Sequence, residues 1–153
     1  SYKLTPTAEL VSPDDSDLIF RAQRSAVMPI MVVTNIFDKG FSTEVLSVIL
    51  ASEELQERLI GNILSELTGK NYYGVNMDIE YIAPDDYNAF LERLTERLHN
   101  EGFIVMSALA PKISADQPGV LYEAHDYAEQ GRIVDYVIIM TYEWGYTCYH
   151  TSL

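Results

Sequence analysis

The sequence predicts an α/β fold, with a parallel sheet buried on both faces and helices packed outside it. Three observations carry this. Short apolar, β-branched runs of strand length recur along the chain. Each is followed by a longer stretch with helical periodicity. No linker, low-complexity segment or internal repeat interrupts the alternation. With 153 residues, 48% of them hydrophobic, the chain can form one buried core.

Taken in order, Ser12 reads as an N-cap with Pro13 in the first turn of a helix running to about Ser25. Residues 29–36 (PIMVVTNI) read as a buried strand. Residues 43–69 read as helical, broken near Ser52, with Leu55, Leu59, Ile63, Leu64 and Leu67 on one stripe and Gly69 as the stop. Tyr72 to Ile79 is a second strand. Pro84-Asp85-Asp86 opens the next helix, which buries Phe90, Leu91, Leu94 and Leu98 and ends at Gly102. Phe103 to Leu109 is a third strand, Tyr122 to Gln130 a short helix closed by Gly131, and Val134 to Thr141 a fourth strand. Both an open doubly wound sheet and a closed barrel satisfy this pattern. No GxGxxG or phosphate-loop pattern is present. An eightfold barrel needs ~250 residues, so in a barrel this chain would be about half.

Composition narrows the function classes. A net charge of −13 repels phosphate backbones and argues against nucleic-acid partners and bare anionic membranes. One cysteine, Cys148, allows no internal disulfide. Three scattered histidines and that cysteine make a zinc site an unfavourable reading, and no metal or other cofactor is expected. No apolar run approaches the roughly 20 residues of a membrane span.

Two segments carry chemistry. In residues 73–80 (YGVNMDIE), strand alternation puts Val75, Met77 and Ile79 on one face and Gly74, Asn76, Asp78 and Glu80 on the other. The apolar face suits packing under helices. The polar face then points inward, where two carboxylates are costly unless hydrogen-bonded or functional. Alternation alone equally allows a solvated polar face on an edge strand. The second segment, residues 140–146 (MTYEWGY), sets aromatic rings beside a carboxylate at a strand end. That mixture suits a sugar, whose CH faces stack on rings while its hydroxyls hydrogen-bond. It also suits an ordinary aromatic core edge.

Together the two segments resemble the family 18 glycoside hydrolases, which are (β/α)₈ (TIM) barrels. The family signature DxxDxDxE falls on Tyr73, Asn76, Asp78 and Glu80; the last two positions match and the first two do not. The family's Met-x-Tyr motif is matched by Met140 and Tyr142, and Glu143 stands where many members have Asp. The stretches MVVTNI, GVNMDIEY, SALAPKISADQPGVLYEAHDY and IMTYEWGY look like the bacterial spore-germination branch, which contains cortex-lytic N-acetylglucosaminidases. The Asn at position 76 is similar to that branch.

The resemblance implies an incomplete barrel of about four to five strand–helix units. It further implies substrate-assisted retaining hydrolysis of a β-linked polysaccharide containing N-acetylglucosamine, either spore-cortex peptidoglycan or a chitin-like glycan. Glu80 is then the general acid, Asp78 and Tyr142 hold the substrate's acetamido group, and Asn76, Met140, Glu143 and Trp144 line the substrate. A spore, cell-envelope or extracellular location goes with it. Residues 1–146 are expected to be part of the catalytic domain. Residues 147–153 are expected to be a tail outside the family pattern. The chain is expected to begin near the end of the first barrel strand, to lack the last two, and to self-associate through its exposed edges. A non-catalytic carbohydrate-binding relative is the alternative, although such relatives usually lose the acid. A metal-dependent hydrolase using Asp78, Glu80, Asp85 and Asp86 is disfavoured, because Asp85 and Asp86 fit a helix N-terminus better.

Overall fold

The computed structural model describes residues 1–37, 40–123 and 125–142. Its main sheet contains β1 (Tyr2–Leu4), β2 (Leu10–Val11), β3 (Ile30–Thr34), β6 (Gly74–Asp78), β7 (Ile104–Leu109) and β8 (Tyr136–Ile139). A separate two-stranded ribbon joins β4 (Ile36–Phe37) to β5 (Gly40–Phe41). The helices are α1 (Ser16–Arg24), α2 (Thr43–Leu50), α3 (Glu53–Lys70), α4 (Pro84–Asn100), α5 (Val120–Glu123) and α6 (Tyr127–Ile133).

Strand order settles the architecture that periodicity leaves open. The sheet runs β2-β1-β3-β6-β7-β8, and all pairs are parallel except β1 with β2. The five parallel strands therefore follow one another in chain order. A doubly wound sheet reverses direction at a switch point; this one does not. Successive neighbours joined by helices on one side are the building pattern of a TIM-like barrel. The sheet does not close on itself among the described residues.

Burial identifies the two faces. Met31 and Val33 of β3, Val75 and Met77 of β6 and Val105 of β7 share one buried cluster with residues of α2, α3 and α4. On α3, Leu59, Ile63 and Leu67 are fully buried, whereas Leu55 and Leu64 are only partly covered. Deleting one of these buried leucines costs about 2–5 kcal/mol in comparable cores. The opposite face carries Asn76 and Asp78 at its centre. It becomes more open toward β8, where Tyr136 and Ile138 are exposed.

Several element ends differ from expectation. Helix α1 begins at Ser16, not beside Ser12, whose Oγ donates to Glu66 Oε1 at 3.1 Å. Asp15 holds the cap position without a side-chain cap bond, because its carboxylate turns inward. There it accepts from Tyr2 Oη at 2.7 Å, from Lys70 Nζ at 3.0 Å and from Tyr72 Oη. Helix α3 breaks from α2 at Ser52 as expected, with Ser52 Oγ accepting from Leu55 N–H. It then passes through Gly69 and stops at Asn71, whose left-handed backbone (φ 57°) an asparagine tolerates. Gly131 likewise lies inside α6. The helix expected from Tyr122 is two short ones, because Asp126 starts a new helix by accepting from Glu129 N–H at 3.0 Å.

Candidate active site at the carboxyl end of the sheet

The site starts from a close strand contact. A Cβ on Gly74 would strike the carbonyl oxygen and side chain of Ile104 on the adjacent strand, so only glycine allows β6 and β7 to approach here. Two residues on, Asn76 is buried on the inner face, and Asp78 follows it, half-buried, in register with Thr34 of β3. The Oδ1 atoms of Asn76 and Asp78 are buried with no hydrogen-bond partner among the described residues. Burial pushes the Asp78 carboxyl above its usual value. This inner face thus presents oxygens that water or a polar ligand could satisfy.

Glu80 lies two residues beyond Asp78, past the end of β6, and is half-buried. Its backbone is held from the side of β3. Asn35 Oδ1 accepts from Glu80 N–H at 3.1 Å, and Asn35 Nδ2 donates to the Glu80 carbonyl at 2.9 Å. The next residue, Tyr81, is left-handed at φ 60°, a conformation rare for a bulky side chain. Thr43 Oγ1 donates to the Tyr81 carbonyl at 2.7 Å. From the other side, the buried ring of His125 meets the Ile79 carbonyl at 3.2 Å through Nε2.

Met140 and Tyr142 sit at the end of β8, at the same end of the sheet but two strands from β6. Met140 N–H donates to the Leu109 carbonyl at 2.9 Å, continuing the ladder, and Tyr142 is 72% exposed. The sequence-predicted residues Glu143 and Trp144, and the stretch 147–153, lie outside the described residues. A cleft of about 850 Å³ is lined by Asp85, Lys112, Ile113, Gln117 and Tyr127 among others, and does not include Asp78 or Glu80. Asp85 and Asp86 occupy the first turn of α4. Among the described residues, no group of three or more His, Cys, Asp or Glu could hold a metal ion.

The sequence pattern alone does not mark Asn35 or His125 as site residues. Each is a buried polar residue beside an apolar run, so the available signal was polarity where a strand or helix pattern calls for cover.

Residues 30–153 match the family model described as glycosyl hydrolases family 18. The chain is 38% identical over 152 residues to the cortical fragment-lytic enzyme of Bacillus subtilis (strain 168), covering 96% of this chain and 35% of that protein. The crystal structure of the spore cortex-lytic enzyme SleL of Bacillus megaterium QM B1551 aligns at a TM-score of 0.91 and 36% identity, over 95% of this chain and 35% of that one. A class V chitinase from Pseudomonas fluorescens Pf-5 aligns at a TM-score of 0.85 and 22% identity, over 98% and 48% of the two chains, and shares the fold. The chain therefore spans about a third of the length of the cortical fragment-lytic relative it matches.

Proposed function

The chain belongs to glycosyl hydrolases family 18, and from that membership we propose that it carries the proton-donor side of a retaining glycosidase site acting beside N-acetylglucosamine. The observation that supports this best is the inner face of β6. Asn76 and Asp78 present unpartnered buried oxygens there, and Glu80 follows at the carboxyl end of the strand. Active sites of TIM-like barrels form at that end.

In this reading Glu80 donates a proton to the glycosidic oxygen as the bond to the anomeric carbon breaks. The carbonyl oxygen of the substrate's own 2-acetamido group attacks that carbon from the opposite side, forming a cyclic oxazolinium ion. Asp78, ionised, balances the positive charge, and Tyr142 hydrogen-bonds the acetamido oxygen. Glu80, now a carboxylate, takes a proton from water as that water opens the ring, so configuration is retained overall. A two-carboxylate mechanism needs acid and nucleophile on opposite sides of the bond, ~5–5.5 Å apart. Asp78 and Glu80 leave the same segment side by side, which suits substrate assistance better. Asn76, Met140, Glu143 and Trp144 contribute substrate contacts. Two similar relatives are named for lysis of cortical fragments and of the spore cortex, which favours spore-cortex peptidoglycan as the glycan, in the spore or cell envelope.

Self-association is the accompanying inference for this polypeptide by itself. Among the described residues β8 pairs only with β7, and Tyr136, Ile138 and Ile139 are exposed along it. A monodisperse monomer in size-exclusion chromatography would contradict it.

The enzymatic reading is tested with matched aryl N-acetylglucosaminide and glucoside substrates on a complete enzyme carrying this segment. Losing one hydrogen bond costs about 1 kcal/mol, roughly fivefold. Losing the nucleophile should cost far more. A thiazoline analogue of the cyclic ion should inhibit. Comparable cleavage of both glycosides, or a covalent sugar adduct on a protein carboxylate, would sink substrate assistance.

A further inference from the structure

We propose that Asn35 is a positioning residue for Glu80, holding the acid's backbone against the β3–α2 connection so that its carboxyl meets the glycosidic oxygen. The proposal rests on the reading of Glu80 as the general acid. The geometry is specific. One side-chain amide satisfies both the N–H and the carbonyl of a single residue 45 positions away, at 3.1 and 2.9 Å. Asn35 is itself completely buried.

What anchors the amide is also visible. Asn35 Nδ2 donates to the Ser42 carbonyl at 3.2 Å, and the Asn35 carbonyl accepts from Ser42 N–H at 2.9 Å. Ser42 in turn caps α2, its Oγ accepting from Val45 N–H at 3.3 Å. The helix start therefore fixes Ser42, Ser42 fixes Asn35, and Asn35 fixes Glu80. A second tie lies one residue on. Tyr81 takes a left-handed backbone, and Thr43, the first residue of α2, donates to its carbonyl at 2.7 Å. Glu80 lies past the end of β6, and the β3–α2 connection reaches it through Asn35 and its left-handed neighbour Tyr81 through Thr43.

A purely structural clamp and a positioning clamp differ in one readout. If the acid is displaced, the reaction suffers where proton donation matters. The loss should be largest for substrates with poor, alkoxide-like leaving groups and small for activated aryl glycosides, which need little protonation. The comparison uses kcat/KM, which reports steps through leaving-group release. Asn35→Asp keeps the acceptor and the shape but removes the donors to the Glu80 and Ser42 carbonyls; Asn35→Ala removes the acceptor as well.

In a complete enzyme carrying this segment, we expect Asn35→Asp to lose roughly 10–100-fold on a poor leaving group, the scale of an ~1 Å misplacement. The loss on an activated one should be under about threefold. Glu80→Gln, run in parallel, should show the same selectivity more strongly. Equal losses on both substrates for Asn35→Asp, or none on either, while Glu80→Gln remains selective, would overturn the positioning role alone. If Glu80→Gln shows no selectivity, the reading of the acid fails and this proposal falls with it. If Asn35→Ala does not fold, Asn35→Asp and its melting curve still decide the matter.

Discussion

His125 donates from Nε2 to the Ile79 carbonyl at 3.2 Å, and its other ring nitrogen fixes that direction, because Nδ1 accepts from Ala110 N–H. Only a neutral ring with the proton on Nε2 can make both bonds. The residue before Glu80 is thus tied to Ala110, just past the end of β7, by a histidine that must stay uncharged.

That requirement gives a pH dependence. Burial holds the His125 pKa below its ordinary value, helped by the nearby Lys112 charge and opposed by the Ile79 hydrogen bond. The folded state binds the proton less well than the unfolded chain. Stability from this group is therefore fully present above the ordinary histidine pKa of about 6.5 and falls as pH drops toward the lowered folded value. Urea melts between pH 7.5 and 5 should show a steeper loss for the parent than for His125→Gln, which cannot charge. Parallel curves would mean that His125 titrates normally.

A second tie fastens the outer layer. Asp15 accepts from Tyr2, Tyr72 and Lys70, and Lys70 also pairs with Glu66 at 3.2 Å. Burial alone would raise the Asp15 pKa, but the bonds from Tyr72, Tyr2 and Lys70 outweigh it and leave it lowered. Its contribution to stability is present above the unfolded carboxylate value of about 3.9 and is lost as pH falls through the lower folded value. Asp15→Asn turns an amide N–H₂ either toward Lys70 or toward the two tyrosine hydroxyls and removes the charge that pairs with Lys70, and should cost about 2–4 kcal/mol at pH 7. The penalty should shrink in acid. A cost under about 0.5 kcal/mol would show the cluster to be no more than a surface pairing.

Asp78 should behave in the opposite way. Burial raises its pKa, so the folded site disfavours its charge. At neutral pH the ionised group is destabilising, and the effect disappears as pH falls below the unfolded value near 3.9. Asp78→Asn should therefore raise the neutral-pH melting temperature of a complete enzyme while lowering turnover, since a neutral amide cannot balance the oxazolinium charge. A variant both less stable and fully active would contradict the role given to Asp78.

Much of this was legible in the sequence because the signals are local. The β6 face follows from period-two alternation, and two carboxylates on its inner side stand out against burial cost. Helix α4 was readable from Pro84 and its apolar stripe. Winding direction was not, because strand order depends on which strands become neighbours. Gly69 and Gly131 read as helix stops but lie inside helices, since the left-handed Asn71 and the extended Val134 end them instead. Asn35 was not legible for a related reason: residues 29–36 read as one continuous strand, whereas the strand ends at Thr34, and the partner of the Asn35 side chain lies 45 residues away.

The most direct measurement is the kcat/KM of Glu80→Gln, in a complete enzyme carrying this segment, on a glycan with a poor leaving group. The substitution keeps the shape and removes only the transferable proton. Turnover should fall by roughly 10²–10⁴-fold with little change in the melting curve, and far less on an activated aryl N-acetylglucosaminide. A Glu80→Gln enzyme that cleaves the poor-leaving-group substrate at near-normal rates would show that the proton comes from another residue.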